Sequence, residues 1–454
     1  MDVNLQSRWR LRLHNTLFLI LFVTIIGILA GLSTIYKFEA DWTAGNRNSL
    51  SRDSQRILAA IHKPMEFLAF VPDNSALHKR IESSLAKYQR FKPNLKISFS
   101  NPDLEPEMAR AAGVTETGQL LVRVGSRTEI VDDMSEQTLA EALQRLARGE
   151  EHWVGFLQGH GERDPLSNTN PGYGRLSDSL TRTGVNVQPL NLIRNPKIPK
   201  NTTLLVIAPA QSELLKGEIT KLRGYVNHGG NLLWLRDPGK LNGLKPLAKA
   251  LGVKYVDGVI VDANAELRAL LGIQHPAIVP VVDYGSSLIT RELKAQTLFP
   301  FAVGVEADKG ASTGWTAEPI LTTLARTWAE TGSLTGKEIT LSKETGDRAG
   351  PLTIGLTLTR NRGKTQQRIA VIGDSDFLAN GYVGNGENLE LGINLFNWLT
   401  RDDEFISINP QSAPDIQLTL GRDAIFIIAF TFLTILPIGL LVVGVTIWLK
   451  RRRR

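Results

Sequence analysis

The chain has 454 residues and contains no cysteine. Disulfides, thiolate nucleophiles and cysteine-ligated metals are therefore excluded. The formal net charge is +7 at pH 7, of which residues 1–14 carry +2 and residues 450–454 carry +5. Because the long central part is almost neutral, it lacks the basic surface that nucleic-acid-binding proteins use, and we expect no nucleic-acid partner.

An uncharged segment lies near each end of the chain, at residues 15–36 and 424–449. Each is long enough to supply the roughly 20 apolar residues that a helix needs to cross a bilayer. We therefore predict two transmembrane helices. A cleaved signal peptide is the alternative for the first segment, but its apolar run is longer than the ~7–15 residues usual in such peptides, and no A-x-A cleavage site follows it.

Basic residues flank the outer ends of both predicted membrane helices. Three arginines precede the first helix within residues 1–14, and Lys450 with Arg451–Arg454 follows the second. The positive-inside rule predicts both tails in the cytoplasm and the central part in the periplasm, at the inner membrane of a bacterial cell. We also expect lipid contacts through both helices and between the Arg451–Arg454 tail and anionic headgroups.

Residues 40–148 are predicted to form a smaller α/β domain. Its first helix follows a serine cap, Ser49 or Ser51, and the later elements follow the order β-α-β-α-β-β-α. This order resembles a thioredoxin-like arrangement, but redox activity is excluded because the cysteine pair is missing. The predicted elements are helices 50–61, 75–91, 107–112 and 135–148, and strands 65–71, 95–99, 120–124 and 128–131.

Residues 150–410 are predicted to form a larger domain. Its alternating strands and helices indicate a parallel, doubly wound sheet with right-handed crossovers. Residues 253–324 are more irregular, with short β-rich runs at 259–261 and 278–282. The other predicted elements are strands 153–157, 203–208, 231–235, 352–358 and 368–372, and helices 175–183, 212–227 and 389–399.

The turn Gly159-His160-Gly161-Glu162 follows the first strand of the larger domain, where open α/β sheets bind ligands. His160 and Glu162 could act as a base with its orienting acid, or as two ligands of a metal. The alternative is a glycine turn whose side chains bond neighbouring backbone. Two candidate ligands without a third favour that structural interpretation.

The turn Gly373-Asp374-Ser375-Asp376 follows the last predicted strand. Its Gly-Asp-Ser core is similar to the nucleophile block of GDS-type esterases, but the last histidine of the chain is His275, so no downstream base is available. Asp374 and Asp376 could hold a divalent cation as in Asp-x-Asp phosphatases, although the lysine and threonine partners of such enzymes are not identifiable. The structural alternative is a strand-to-helix turn with aspartate caps.

These two turns define the predicted site. We predict no catalytic residue, no metal site and no cofactor. The residues predicted to bind a ligand are Gly159, His160, Gly161, Glu162, Asp374, Ser375 and Asp376.

Several motifs together carry a family resemblance. The most specific pair is Gly-Asp-Ser-Asp-Phe at 373–377 with Asn-Trp-Leu at 397–399, and the remaining motifs lie at 46–51, 159–162, 227–231 and 368–380. Over roughly residues 40 to 400, the chain resembles the auxiliary component of ABC-type transport systems. That component is the GldG family, named for gliding-motility accessory proteins.

The resemblance implies a periplasmic, non-enzymatic module that works beside an ABC permease and ATPase. It also implies a central domain similar to class I glutamine-amidotransferase folds, although the amidotransferase nucleophile has no equivalent in a chain without cysteine. Some relatives are fused to a multi-span permease. This chain has only two predicted membrane helices and no GxxxxGK[ST] motif, so separate subunits must drive any transport.

Three hypotheses follow. The first is an accessory subunit of an ABC transport complex, which binds a ligand or partner and docks its helices on the permease. The second is a membrane-tethered hydrolase or metal-dependent enzyme, which would need His160, Glu162, Asp374 and Asp376 within ~6 Å of one another. The third is a scaffold that binds carbohydrate or the cell envelope.

Overall fold

The computed structural model describes residues 5–35, 49–148, 152–308, 310, 314–334, 339–363, 365–406, 408 and 430–452. Parts of the predicted tails, membrane segments and domain boundaries lie outside these residues, at 1–4, 36–48, 149–151, 409–429 and 453–454.

Apolar helices lie near both ends of the chain, as the sequence predicts. Helix α1 spans Leu5–Ile35, and the carboxyl-terminal helix spans Leu436–Arg452. Within these regions, the segments His14–Leu32 and Thr431–Lys450 are long and apolar enough to cross a membrane. A π-helical turn, Thr431–Ile435, leads into the carboxyl-terminal helix near its proline, where a regular helical hydrogen bond is lost.

Residues 49–148 form a four-stranded sheet with helices packed against it. All eight elements predicted here are present within a few residues: α2 (Arg52–Ala60), β1 (Met65–Phe70), α3 (Ser75–Phe91), β2 (Lys96–Ser100), α4 (Pro106–Ala112), β3 (Leu120–Val124), β4 (Arg127–Val131) and α5 (Glu136–Ala147). The strand order is β2-β1-β3-β4. Strands β1 and β2 are parallel, whereas the β1–β3 and β3–β4 pairs are antiparallel.

Serine caps determine where two of these helices begin. The Ser51 hydroxyl accepts a hydrogen bond from the Ser54 amide, and the Ser135 hydroxyl accepts one from the Thr138 amide. Each bond satisfies one of the amides that a helix leaves free at its start. Ser51, rather than Ser49, is therefore the residue that caps α2.

The hydrophobic core of this sheet includes residues from the far end of the chain. Phe67 of β1, Leu85 of α3 and Leu139 of α5 are fully buried within it. Phe405 and Ile408 are buried in the same core. The segment that follows the last helix of the larger sheet thus helps to complete the core of the smaller one.

Residues 152–400 contain the larger sheet and its helices. The elements are β5 (His152–Leu157), α6 (Gly174–Arg182), β6 (Val185–Leu190), β7 (Thr202–Ile207), α7 (Lys216–Asn227), β8 (Asn231–Leu235), α8 (Lys245–Leu251), β9 (Val253–Tyr255), β10 (Val259–Val261), α9 (Ala265–Leu270), β11 (Ile278–Val281), β12 (Thr297–Pro300), β13 (Val305–Ala307), β14 (Thr316–Thr322), β15 (Trp328–Glu330), β16 (Arg348–Ala349), β17 (Thr353–Arg362), β18 (Thr365–Ile372) and α10 (Asn388–Thr400).

The larger sheet has seven strands in the order β14-β17-β18-β8-β7-β5-β6. Strands β6, β5, β7, β8 and β18 are parallel, as predicted. The prediction of a parallel sheet is wrong for β17, which runs antiparallel to β18. Strand β14, which the sequence does not predict, pairs antiparallel with β17 at the edge of the sheet. The reason is local: β17 turns into β18 at Gly363, and so short a connection can form only a hairpin.

Helices cover both faces of this sheet. Helices α6 and α10 contribute buried residues to the core on one face, whereas α7 and α8 contribute to the core on the other. Counted from β5, the parallel strands follow the doubly wound order 2-1-3-4-5. Three small sheets, β10-β15-β16, β11-β12 and β9-β13, are formed by strands that lie between β8 and β17 in the chain. Strands β9 to β13 fall within residues 253–324, which the sequence predicts as irregular, whereas β15 and β16 follow them.

Two differences from the predicted elements have clear causes. Strand β6 was not predicted because it carries Pro189, but it lies at the edge of the sheet, where a strand tolerates proline. Helix α7 begins at Lys216 rather than at residue 212. The Glu218 carboxylate accepts a 2.9 Å hydrogen bond from the Leu215 amide and so starts the helix there.

The carboxylate of Glu136 links helix α5 to the start of α2 and to α3 beside the smaller sheet. Its Oε1 accepts a 2.7 Å hydrogen bond from the Ser51 amide, and its Oε2 lies 3.1 Å from Lys87 Nζ. Burial would raise the pKa of Glu136, but hydrogen bonds from Ser54 and Ser51 and the charge of Lys87 outweigh burial and lower this pKa. The ionised form is therefore favoured by folding.

We predict that Glu136→Gln lowers the thermal stability of the full chain at pH 7. A carboxyl whose pKa is lowered by folding stabilises the protein above its unfolded pKa, about 4.5, and loses this contribution as the pH falls through the folded value. The difference in melting temperature between wild type and variant should thus shrink below about pH 4. Glu82→Gln, at an exposed position of α3, is the control. A difference that does not change with pH would contradict the prediction.

Candidate functional site

The carboxyl ends of the parallel strands bring both predicted turns to one edge of the larger sheet. Residues 159–162 follow β5, which ends at Leu157, and residues 373–376 follow β18, which ends at Ile372. The loops after β7 and β8 lie between them, because the strands are ordered β5-β7-β8-β18. Ligands of open α/β sheets bind at this edge.

The first turn forms a buried histidine cluster of His160, Glu162 and Glu218. The His160 amide donates a 2.6 Å hydrogen bond to Glu162 Oε2, and its Nδ1 lies 3.2 Å from Glu162 Oε1. On the other side of the ring, Nε2 lies 3.0 Å from Glu218 Oε2. Only 6% of His160 is exposed.

The histidine cluster ties the loop after β5 to the start of α7. Glu218 caps the first turn of α7, and the carbonyl of His160 accepts hydrogen bonds from the amides of Gln211 and Ser212. Gly159 and Gly161 have φ angles of 130° and 81°, a region that favours glycine. These contacts favour the structural interpretation of the turn.

The second turn forms an aspartate cluster, which consists of Asp237, Asp374, Ser375 and Asp376. Asp237, which follows β8, accepts hydrogen bonds from the Ser375 amide at 2.8 Å and from the Ser375 hydroxyl at 2.7 Å. Asp374 Oδ1 accepts a 2.7 Å hydrogen bond from the Asp376 amide. Carboxylate oxygens of Asp237, Asp374 and Asp376 lie within 4.8 Å of one another.

Arg163, from the loop after β5, joins this cluster. Its Nη2 lies 2.7 Å from Asp376 Oδ1 and 3.2 Å from Asp237 Oδ2. Its Nε donates a 2.9 Å hydrogen bond to the Ser375 hydroxyl, and its Nη1 donates one of 3.2 Å to the Pro171 carbonyl. One guanidinium group therefore connects the loops after three different strands.

The aspartate cluster is crowded with negative charge. Burial raises the pKa of Asp374 well above its usual value, and the charges of Asp237 and Asp376 raise it further. Burial also raises the pKa of Asp376, while Arg163 opposes this shift. The single positive charge of Arg163 thus only partly balances the three carboxyl groups.

A cleft runs along this edge of the sheet. One part, of about 450 Å³, is lined by loops after β5, β7 and β8 and includes Gly161–Asp164 and Gln211. A second part, of about 320 Å³, extends from Pro209–Gln211 and Asp237 toward Leu244. The first part lies between β5 and β7, the point at which the strand order reverses and doubly wound sheets bind their ligands.

The two predicted turns share an edge of the sheet, but in the described residues their side chains bond to different partners. Among the described residues, no hydrogen bond or ion pair joins His160 or Glu162 to Asp374 or Asp376. The Ser375 hydroxyl contacts Asp237 and Arg163, with no imidazole in reach in the described part of the chain. Within the described residues, Ser375 therefore has no base of the kind that activates a serine nucleophile.

Three residues that contribute to the site were not predicted: Arg163, Asp237 and Glu218. Arg163 and Asp237 each lie within six residues of a strand end, which is the signal that could have identified them. Glu218 lies in the first turn of α7, where a glutamate in the sequence indicates only that it caps the helix.

These features define a mixed α/β protein with apolar terminal helices and a polar cleft at the edge of a doubly wound sheet. The family model described as "ABC-type uncharacterized transport system" matches residues 152–407, which span the seven-stranded sheet and both clusters. The chain therefore belongs to this auxiliary family of ABC-type transport systems. Membership indicates association with transporter components and with a membrane, and it suggests a non-catalytic role.

Comparison with solved structures gives only distant likenesses. The mmIFT52 N-terminal domain is 19% identical, with a TM-score of 0.39, and the match covers 54% of this chain and 97% of that one. A ThuA-like protein from Bacteroides uniformis is 12% identical, with a TM-score of 0.33 and coverage of 55% and 90%. No curated protein matches the sequence. These TM-scores support no inference about function.

We predict that Arg163→Met destabilises the protein by about 2 to 3 kcal/mol, because it leaves Asp237 and Asp376 without their shared positive partner. For a chain of this size the melting temperature should fall by about 5 °C. The measurement is thermal unfolding of the full chain in detergent, followed by tryptophan fluorescence.

Arg56→Met is the matched control, because the Arg56–Glu292 pair is more exposed and such pairs contribute little. Addition of Asp376→Asn to Arg163→Met should restore part of the lost stability. Equal effects of the Arg163 and Arg56 substitutions would contradict this account of the cluster.

Proposed function

We propose that this chain is a non-enzymatic accessory subunit of an ABC-type transport system, which binds a ligand or partner and docks on a separate permease. The observation that carries the proposal is the family match over residues 152–407, which includes the whole cleft-forming sheet. The polar side chains beneath the cleft are largely bonded to one another, as in a supporting framework rather than a catalytic centre. The hydrolase hypothesis has less support, because among the described residues no hydrogen bond or ion pair joins His160 or Glu162 to Asp374 or Asp376.

We propose that the cleft at the sheet edge is the binding site. Gly161 and Glu162 line it directly. The other predicted residues support it. Gly159 and His160 fix the loop after β5, Ser375 and Asp376 hold Asp237 and Arg163 at the wall of the cleft, and Asp374 bonds the Asp376 amide.

The finer structural assignments are proposals of the same kind. The order β2-β1-β3-β4 supports a thioredoxin-like domain at residues 40–148, and the doubly wound order supports a class I glutamine-amidotransferase-like domain at residues 150–410. Separate buried cores beneath the two sheets also support this division. Membership of the GldG family in particular is supported by the motif pair at 373–377 and 397–399.

The proposed topology places residues 1–14 and 450–454 in the bacterial cytoplasm and the folded part in the periplasm, at the inner membrane. It is supported by the two apolar helices and by the basic residues at their outer ends. Both helices and the Arg451–Arg454 tail would contact lipid.

We expect an ABC permease and an ATPase to co-purify with the full chain in mild detergent from its native membrane, with both identified by mass spectrometry. Docking through the helices gives a sharper test. Replacement of residues 424–449 by an unrelated apolar helix of equal length should keep the chain in the membrane, because length and hydropathy are unchanged, but reduce recovery of the permease.

Arg163→Met, which alters the cleft but neither helix, is the matched variant and should retain the permease. Recovery of the wild-type chain without any ABC subunit would count against the proposed function. Recovery that is unchanged by the helix replacement would count against helix docking alone.

The absence of cysteine allows a clean test of topology. We expect Leu270→Cys, at a side chain that is 80% exposed, to react with a membrane-impermeant maleimide in spheroplasts. Ser7→Cys, in the amino-terminal tail, should react only after lysis, and the unchanged chain provides the cysteine-free control. Labelling of Ser7→Cys before lysis would exclude a cytoplasmic amino terminus.

A further inference from the structure

A buried carboxylate oxygen without a partner marks the floor of the aspartate cluster. Asp374 has no exposed surface, and its Oδ2 has no hydrogen-bond partner among the described residues. Its other oxygen, Oδ1, is already bonded to the Asp376 amide. Unsatisfied polar atoms in a protein interior are uncommon and costly, so this oxygen calls for a partner, either a hydrogen-bond donor or a cation.

Two further carboxylates converge on Asp374. Asp237 and Asp376 place oxygens within 4.8 Å of an Asp374 oxygen and of each other. Asp237 comes from the loop after β8, and the other two come from the turn after the neighbouring strand β18. The convergence is therefore built by strand pairing in the sheet and does not depend on one flexible loop.

These carboxylates keep lone pairs free for a ligand. Each carboxylate oxygen can accept two bonds. Asp237 Oδ1 accepts one bond from the Ser375 amide, and Asp376 uses Oδ1 for Arg163. Asp374 Oδ2 has no hydrogen-bond partner in the part of the chain that the structure describes. The cluster can thus supply at least three oxygen ligands without breaking a bond that the structure contains.

Arg163 makes no hydrogen bond to Asp374 among the described residues, so it leaves the free oxygen of Asp374 available to a cation. It contacts Asp237 and Asp376 through Nη2 and reaches Ser375 and Pro171 with its other nitrogens. This arrangement resembles the outer groups that orient metal-binding carboxylates. It also leaves a net negative charge in the cluster.

We propose that Asp237, Asp374 and Asp376 form a binding site for a divalent cation of the Mg²⁺ or Mn²⁺ class. Three carboxylate oxygens, with water completing an octahedron, suit these hard cations. The site lacks the sulfur and imidazole ligands that select zinc, since the chain has no cysteine and His160 is engaged with Glu162 and Glu218. Asp237 lines the cleft and offers a route for the ion.

This site is independent of the proposed transport function, because it depends only on the cluster geometry. A cation here would link the loops after β8 and β18. It would also set the charge at the wall of the cleft.

The test is a titration of the purified full-length chain, expressed alone and treated with chelator, with Mn²⁺. Electron paramagnetic resonance measures the free ion. We expect about one tightly bound Mn²⁺ per chain, with displacement by Mg²⁺. Asp374→Asn should weaken binding about tenfold or more, because it removes the charge of the free buried oxygen. Asp103→Asn, at an exposed carboxylate in the loop before α4, is the control and should bind as wild type.

Two further variants keep the test decisive if Asp374→Asn does not fold. Asp376→Asn, at a less buried position, should also weaken binding. Arg163→Met should bind Mn²⁺ at least as tightly as wild type and should regain melting temperature when Mn²⁺ is added, because the ion replaces the lost positive charge.

Absence of Mn²⁺ binding by the wild-type chain at about 1 mM would overturn the proposal. Binding that is equal in wild type, Asp374→Asn and Asp376→Asn would also overturn it, because the ion would then be held by surface carboxylates elsewhere.

Discussion

The site depends on one guanidinium group that is held between the ends of three strands. Arg163 leaves the loop after β5 and contacts Asp237 after β8 and Asp376 after β18. These loops are positioned by rigid parallel strands, so the arginine meets its partners without ordering a flexible segment. The positive charge of Arg163 partly offsets the free-energy cost of burying several carboxyl groups. Its bonds also fix the polar side chains at the wall of the cleft.

Local sequence signals predict most of the secondary structure but not the contacts that build the site. The strands and helices of residues 49–148 follow from hydrophobic periodicity and serine caps, and the β5, β7 and β8 strands from short apolar runs. Strand β6 was missed because its proline opposes strand formation except at an edge, and edge position is a property of the assembled sheet. The antiparallel direction of β17 could not be predicted from its own residues, because the direction of a strand depends on the length of the connections that join it to its neighbours.

The sequence names only some of the residues of the candidate site for the same reason. Residues 159–162 and 373–376 could be identified because glycine and acidic residues follow apolar strands. Their partners Glu218, Asp237 and Arg163 are ordinary charged residues in isolation, and 213 positions separate Arg163 from Asp376. Only the strand order brings them together. In the described residues, His160 and Glu162 bond to Glu218 and to each other, whereas Asp374 and Asp376 bond within the aspartate cluster and to Arg163, which no spacing in the sequence indicates.

The two ends of the folded part meet in one hydrophobic core. Leu50, which follows the segment after α1, and Ile408, which precedes the segment before the carboxyl-terminal helix, are both buried in the core of the smaller sheet. Arg148 and Asn397 strengthen this closure through a buried 2.8 Å hydrogen bond between α10 and the residue that follows α5. Both connections to the apolar helices therefore start from the same core. The packing of Leu50 and Ile408 in this core, together with the buried Arg148–Asp402 ion pair, brings the two connections close to each other.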